Sequence, residues 1–102
     1  MIGDFNMTSK QRAYLRSLAN GVTAIFQVGK NGISDNLIKQ VDDALEAREL
    51  IKLNVLETSP DETADIANLL AQKTNSELVQ IVGNKITLFR QKKKDSRINL
   101  PK

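Results

Sequence analysis

The stretch Gly29-Lys30-Asn31-Gly32 holds the residues best suited to gripping an anion. Two glycines three apart let a backbone come close to a ligand and take conformations other residues avoid. The stretch runs into a segment whose spacing predicts a helix, and the first N–H groups of a helix, with its dipole, favour negative charge. Lys30 adds a positive charge and Asn31 an amide that donates or accepts. The same four residues would also serve as a plain strand-to-helix turn. Their spacing is neither that of a P-loop nor the glycine fingerprint of dinucleotide folds. A second set is Lys10, Arg12 and Arg16. Arg12 and Arg16 are one helical turn apart and repel each other, so the face they share is either solvated or covered by something anionic. Arg90 and Lys92-Lys93-Lys94 form a third basic group, a tail that either wraps a polyanion or only solubilises.

Other chemistry is poorly served. The 102 residues include no cysteine and no histidine. That removes thiol nucleophiles, disulfides, the commonest general base and the commonest zinc ligands. Asp42, Asp43, Glu46 and Glu49 are the one tempting carboxylate cluster, and we read them as a solvated acidic face of the second helix. No metal, cofactor, small-molecule substrate or catalytic residue is therefore expected. Tyr14, Phe26 and Phe89 are the only aromatics after residue 5. They read as core, Tyr14 with its hydroxyl at the edge, which argues against base stacking and for recognition of backbone and shape. No apolar run approaches the roughly 20 residues of a membrane helix. No secretory signal is visible, so a cytoplasmic protein without membrane partners is expected.

Charge is unevenly spread. Residues 8–39 hold five bases and one acid, residues 40–80 three bases and nine acids, and residues 81–102 seven bases and one acid. Two basic ends flank an acidic middle, and a fold that joins the ends makes one face suited to a polyanion such as nucleic acid.

The elements that must position these groups can be read from periodicity. Residues 1–7 form a loose leader. Thr8 to Gln11 is a capping box opening a helix to about Asn20, with Asn20-Gly21 as a left-handed stop. Ala24–Val28 is a short strand. Ser34 caps a second helix that buries Leu37, Ile38, Val41, Ala44 and Leu45. Ile51–Leu56 alternates, with Ile51, Leu53 and Val55 inward and Lys52 and Asn54 on a wet face. Ser59-Pro60-Asp61-Glu62 starts a third helix, with Ser59 as cap, that buries Ile66, Ala67 and Leu70 and ends near Thr74. Leu78–Val82 and Ile86–Gln91 form a hairpin about Gly83-Asn84-Lys85. Residues 92–102 read as a basic flexible tail. The fold class is α/β, a single compact domain over residues 8–91 in the order α-β-α-β-α-β-β, with a four-stranded mixed sheet packed against three helices.

These elements and motifs together resemble the CRM domain (chloroplast RNA splicing and ribosome maturation), and more closely its stand-alone bacterial YhbY-like form. The resemblance is carried by Lys10-Gln11-Arg12 through Leu15-Arg16, by Val28-Gly29-Lys30-Asn31-Gly32, by Glu49-Leu50-Ile51-Lys52, and by Val82-Gly83 with Leu88-Phe89-Arg90. It implies a fold similar to the C-terminal domain of bacterial translation initiation factor three. It also implies an RNA-contacting Gly-x-x-Gly loop at Gly29, Lys30, Asn31 and Gly32, comparable in role to the loop of KH domains. Lys10, Arg12 and Arg16 match the family's basic first helix, and Lys52 and Arg90 match recurring basic positions.

The expected function is non-catalytic RNA binding in large ribosomal subunit assembly, with ribosomal RNA of large-subunit precursors as partner. The rival is a protein-interaction module using the acidic face of the second helix. An RNA-modifying enzyme ranks third, for want of histidine, cysteine and a nucleotide motif.

Overall fold

The computed structural model describes residues 7–92, 96 and 98–101. Chain order is α1 (Ser9–Ala19), β1 (Phe26–Val28), α2 (Asp35–Arg48), β2 (Leu50–Val55), α3 (Thr63–Thr74), β3 (Glu77–Val82) and β4 (Lys85–Phe89). The strands form one sheet in the order β1-β2-β4-β3. β1 and β2 are parallel, as a strand–helix–strand crossover requires, and β4 runs antiparallel to both β2 and β3.

Strand alternation divides the core in two. Val28, Ile51, Leu53, Val55, Ile86 and Leu88 face α2 and α3, which contribute Val41, Leu45, Ile66, Ala67 and Leu70. On the other face Leu50, Val79 and Phe89 pack beneath Leu15 and Ala19 of α1. Lys52 and Asn54 share this second face with Leu50 and are half-buried, so the face expected to be wet is only partly so.

Local signals set most boundaries. The Thr8 hydroxyl accepts from Gln11 N–H at 3.1 Å while Thr8 N–H donates to Gln11 Oε1 at 3.0 Å, completing the capping box. Ser34 accepts from Leu37 N–H at 3.1 Å and caps α2 as expected. The stop of α1 differs from expectation. Asn20 is right-handed (φ −60°), and the last turn tightens through Gly21 N–H to Leu18 O (3.1 Å) and Val22 N–H to Ala19 O (3.0 Å). The start of α3 also moves. Ser59 is not its cap, because its hydroxyl accepts from Asp61 N–H (3.3 Å) and donates to Asp61 O (2.9 Å), closing a local turn. The helix begins three residues beyond Pro60, at Thr63, after Glu62.

The end of the chain departs furthest from expectation. Ile98 and Leu100 pack on the α1 side of the core, and Pro101 O accepts from Gln11 Nε2 at 3.0 Å. The anchor is Glu49. It is fully buried with φ +69°, a left-handed turn that carries the chain from α2 into β2 within one residue. Its carboxylate accepts from Lys92 N–H (2.8 Å), the Ser96 hydroxyl (2.7 Å) and Ile98 N–H (3.2 Å). Glu49 is thus no part of a solvated acidic face, and the described tail residues pack against it and against the α1 cluster. The expected leader falls outside the described residues except for Met7, which packs against the α1 cluster. Lys93 and Lys94 also fall outside them.

Candidate nucleic-acid interface

The glycine loop lies where β1 gives way to α2. Gly32 N–H donates to Gly29 O at 2.9 Å, closing a turn, and Gly32 takes φ +60°. A Cβ at Gly32 would stand 3.3 Å from Pro60 Cγ, whereas one at Gly29 would make ordinary 3.5 Å contacts with Leu56 and Thr58. Gly32 is therefore needed for its conformation, while Gly29 has room for a Cβ. The segment after β2, with its Ser59-Pro60 turn, forms a wall against the loop. The groove so framed has a volume of about 500 Å³ and is lined by Lys30, Asn31, Ser34, Asn36, Gln40 and Thr58 among others. Lys30 and Asn31 are exposed at its rim. Ser34 takes up one N–H of the first turn of α2, and the remaining ones have no partner within the helix. Asp35 in that turn and Asp61 beside Gly32 offset part of the positive potential. The positive charge of the groove therefore lies at the Lys30 side, away from these two carboxylates.

The basic residues fall into two groups. Lys10 and Arg16 are exposed on α1, which carries no acid in its first turn. Arg12 has a structural post. Its Nη1 donates to Leu78 O (2.7 Å) and Val79 O (3.2 Å), where β3 shifts register between Leu78 and Gln80. A bulge on an edge strand leaves carbonyls without ladder partners, and Arg12 supplies them. Arg90 is likewise occupied. Its Nη1 donates to Asp42 Oδ1 (2.6 Å) and Thr74 O (2.7 Å), and its Nη2 to Asp42 O (3.0 Å) and Glu46 Oε1 (3.4 Å). It ties the end of β4 to α2 and to the end of α3, away from the α1 side. Lys52 lies mid-sheet on the α1 face, opposite Thr87.

Two further readings change. Asp42 and Glu46 hold Arg90, and Asp43 pairs with Lys39 at 3.4 Å, so the acidic face of α2 is largely engaged within the chain. Tyr14 is not core: it is 37% exposed on the outer side of α1, one turn from Lys10. Phe89 is fully buried as expected. Among the described residues no group of acids could hold a metal ion, and no helix is long and apolar enough to cross a membrane.

Sequence reasoning missed Thr58, Gln40 and the Ser59-Pro60 wall. Thr58 and the wall approach the loop only through the β2–α3 connection, which carries no periodic signal, and Gln40 does so from the second turn of α2.

Comparison with known proteins agrees with this architecture. Residues 7–90 match the family model of the CRS1/YhbY (CRM) domain. The chain is 48% identical to the Probable RNA-binding protein YqeI of Bacillus subtilis over 95 residues, which is 93% of this chain and 99% of that one. It is 27% identical to a Haemophilus influenzae protein named RNA-binding protein, covering 94% of this chain and 96% of that one. The solution structure of a hypothetical protein from Staphylococcus aureus superposes with a TM-score of 0.78 at 49% identity, covering 94% of this chain and 100% of the other. With its helix–strand order, its mixed sheet and its glycine loop between β1 and α2, the chain belongs to the CRS1/YhbY (CRM) domain family.

Proposed function

We propose that the protein is a non-catalytic RNA-binding protein acting in assembly of the large ribosomal subunit, where it docks on structured ribosomal RNA. The observation that carries the reading is the open groove at Gly29–Gly32, with Lys30 at its rim. The names of the relatives in Bacillus subtilis and Haemophilus influenzae support RNA as the ligand. In this reading the loop backbone and Lys30 hold phosphates, Asn31 adds a hydrogen bond to the sugar–phosphate chain, and Lys10 and Arg16 grip an adjacent strand. Arg12 and Arg90 act at one remove, by fixing β3 and α2. The engaged carboxylates of α2 give no particular support to a protein-interaction module on that face.

Binding to a structured fragment of large-subunit ribosomal RNA should weaken steeply with salt. About four to six phosphate contacts give a log–log slope of roughly −3 to −5. A slope near zero in a fluorescence titration would sink the electrostatic mechanism. In lysates fractionated at low salt, the protein should travel with large-subunit precursors rather than with translating ribosomes, because exposed backbone is more accessible before late proteins cover it. Salt of about 1 M should release it, since the contacts proposed are ionic. Persistence on particles at that salt, or sedimentation chiefly with translating ribosomes, would overturn the assignment.

A further inference from the structure

The sheet divides the molecule by charge. On one side lie α2, with Asp35, Asp42, Asp43 and Glu46 against Lys39 and Arg48, and the connection after β2, with Glu57, Asp61 and Glu62. On the other lies α1, with Lys10, Arg12 and Arg16 and no acid. α1 covers only one end of its sheet face, over Leu50, Val79 and Phe89. Towards the other end, the strand register places Gln27 beside Asn54, Asn54 beside Lys85, Lys52 beside Thr87, and Lys85 beside Val82. Gln27 and Lys85 are exposed, Val82 is 60% exposed, and Lys52 and Asn54 are half-buried. These positions hold two lysines, two amides and no carboxylate. Gln27 also lines the groove at the glycine loop, which makes the two surfaces continuous.

We infer that the part of this sheet face beyond α1, formed by Gln27, Lys52, Asn54 and Lys85, is a second RNA-contacting surface that takes the ribose–phosphate backbone leaving the glycine loop. The inference rests on the RNA-binding reading above and extends it. A positive surface without carboxylates complements phosphate. No aromatic side chain stands among these strand positions, so bases have nothing to stack on. Amides suit the ribose 2′-hydroxyl, which both donates and accepts and which distinguishes RNA from DNA. Lys52 and Lys85 hold phosphates, and Gln27, exposed beside Asn54, faces the sugars.

The test is titration of the full chain with a fluorescein-labelled fragment of large-subunit ribosomal RNA over a range of salt, for the parent, for Lys52→Gln with Lys85→Gln, for Lys85→Gln alone and for Lys30→Gln. Lys85 is exposed, so its single variant keeps the fold even if the partly buried Lys52 does not tolerate change. The double variant should bind about tenfold more weakly and flatten the salt slope by about 1.5, and Lys85→Gln alone should flatten it by about 0.8. Unchanged slopes in both sheet variants overturn the inference, whatever Lys30→Gln does. If Lys30→Gln alone weakens binding, the RNA reading stands with its interface confined to the loop. If the parent chain shows no salt-dependent RNA binding, the RNA reading itself fails and this surface with it.

Discussion

Glu49→Ala is expected to lower stability by about 3 kcal/mol, the largest loss foreseen for any residue outside the apolar core. Three donors, from Lys92, Ser96 and Ile98, lose their acceptor at once, and each partly buried donor left unmatched costs about 1 kcal/mol or more. A domain of this size loses roughly 4–8 °C per kcal/mol, so the melting temperature should fall by about 15 °C. Glu49→Gln keeps one carbonyl oxygen as acceptor and should lose about half as much. Thermal unfolding followed by circular dichroism measures both. The effect should also be non-additive. In a chain ending at Gln91 those three donors are gone, and Glu49→Ala should cost well under half its effect in the full chain. Full additivity would mean that Glu49 acts through its backbone turn alone.

The second large effect separates contact from conformation within the glycine loop. Gly29→Glu should reduce RNA affinity at least tenfold, about 1.4 kcal/mol, with little change in melting temperature, because a Cβ there meets Leu56 and Thr58 at an ordinary 3.5 Å. The introduced carboxylate repels phosphate at the point of closest backbone approach. Gly32→Glu should lose affinity and also stability, by about 1–2 kcal/mol, because a side chain is strained at φ +60° and its Cβ presses on Pro60 at 3.3 Å. Affinity measured beside thermal unfolding decides the matter. If Gly29→Glu folds normally and binds as the parent does, the loop is only a turn.

What could be read from the sequence, and what could not, follows a physical line. The capping box at Thr8, the Ser34 cap, the alternation of Ile51, Leu53 and Val55 and the Gly83 turn are local signals, and the structure places them as read. The misreadings concern groups whose partners are distant in sequence. Glu49 looked like one more acid on an exposed helix face, yet its partners lie 43 to 49 residues away. Arg12 and Arg90 looked like free cations, yet a bulge in β3 and the end of α3 claim them. A charge pattern along one helix does not reveal such partners. Ser59 shows a local competition instead: its hydroxyl serves Asp61 two residues on, a short-range alternative to capping that the same residues always offer. Of the candidate site, the loop and the α1 cations were legible. The sheet surface was not, because Lys52 and Lys85 come together only through the pairing of β2 with β4.

The separation of charge across the sheet also bears on how the molecule meets a partner. With cations gathered on α1 and on the uncovered strands, and acids on α2 and the connection that follows β2, the protein carries a dipole that runs through the sheet from one layer of helices to the other. In the field of a polyanion such a dipole exerts a torque before any atom touches. Approaches with the 42–46 stretch of α2 foremost are turned away and those with α1 or the Lys30 loop foremost are drawn in, so a larger share of diffusional encounters begins in one orientation. This is a gain in association rate, up to orders of magnitude at low ionic strength, and it fades as salt shortens the reach of the field to about 8 Å. For a domain of 102 residues, such steering offsets in speed of capture what a small interface withholds in grip.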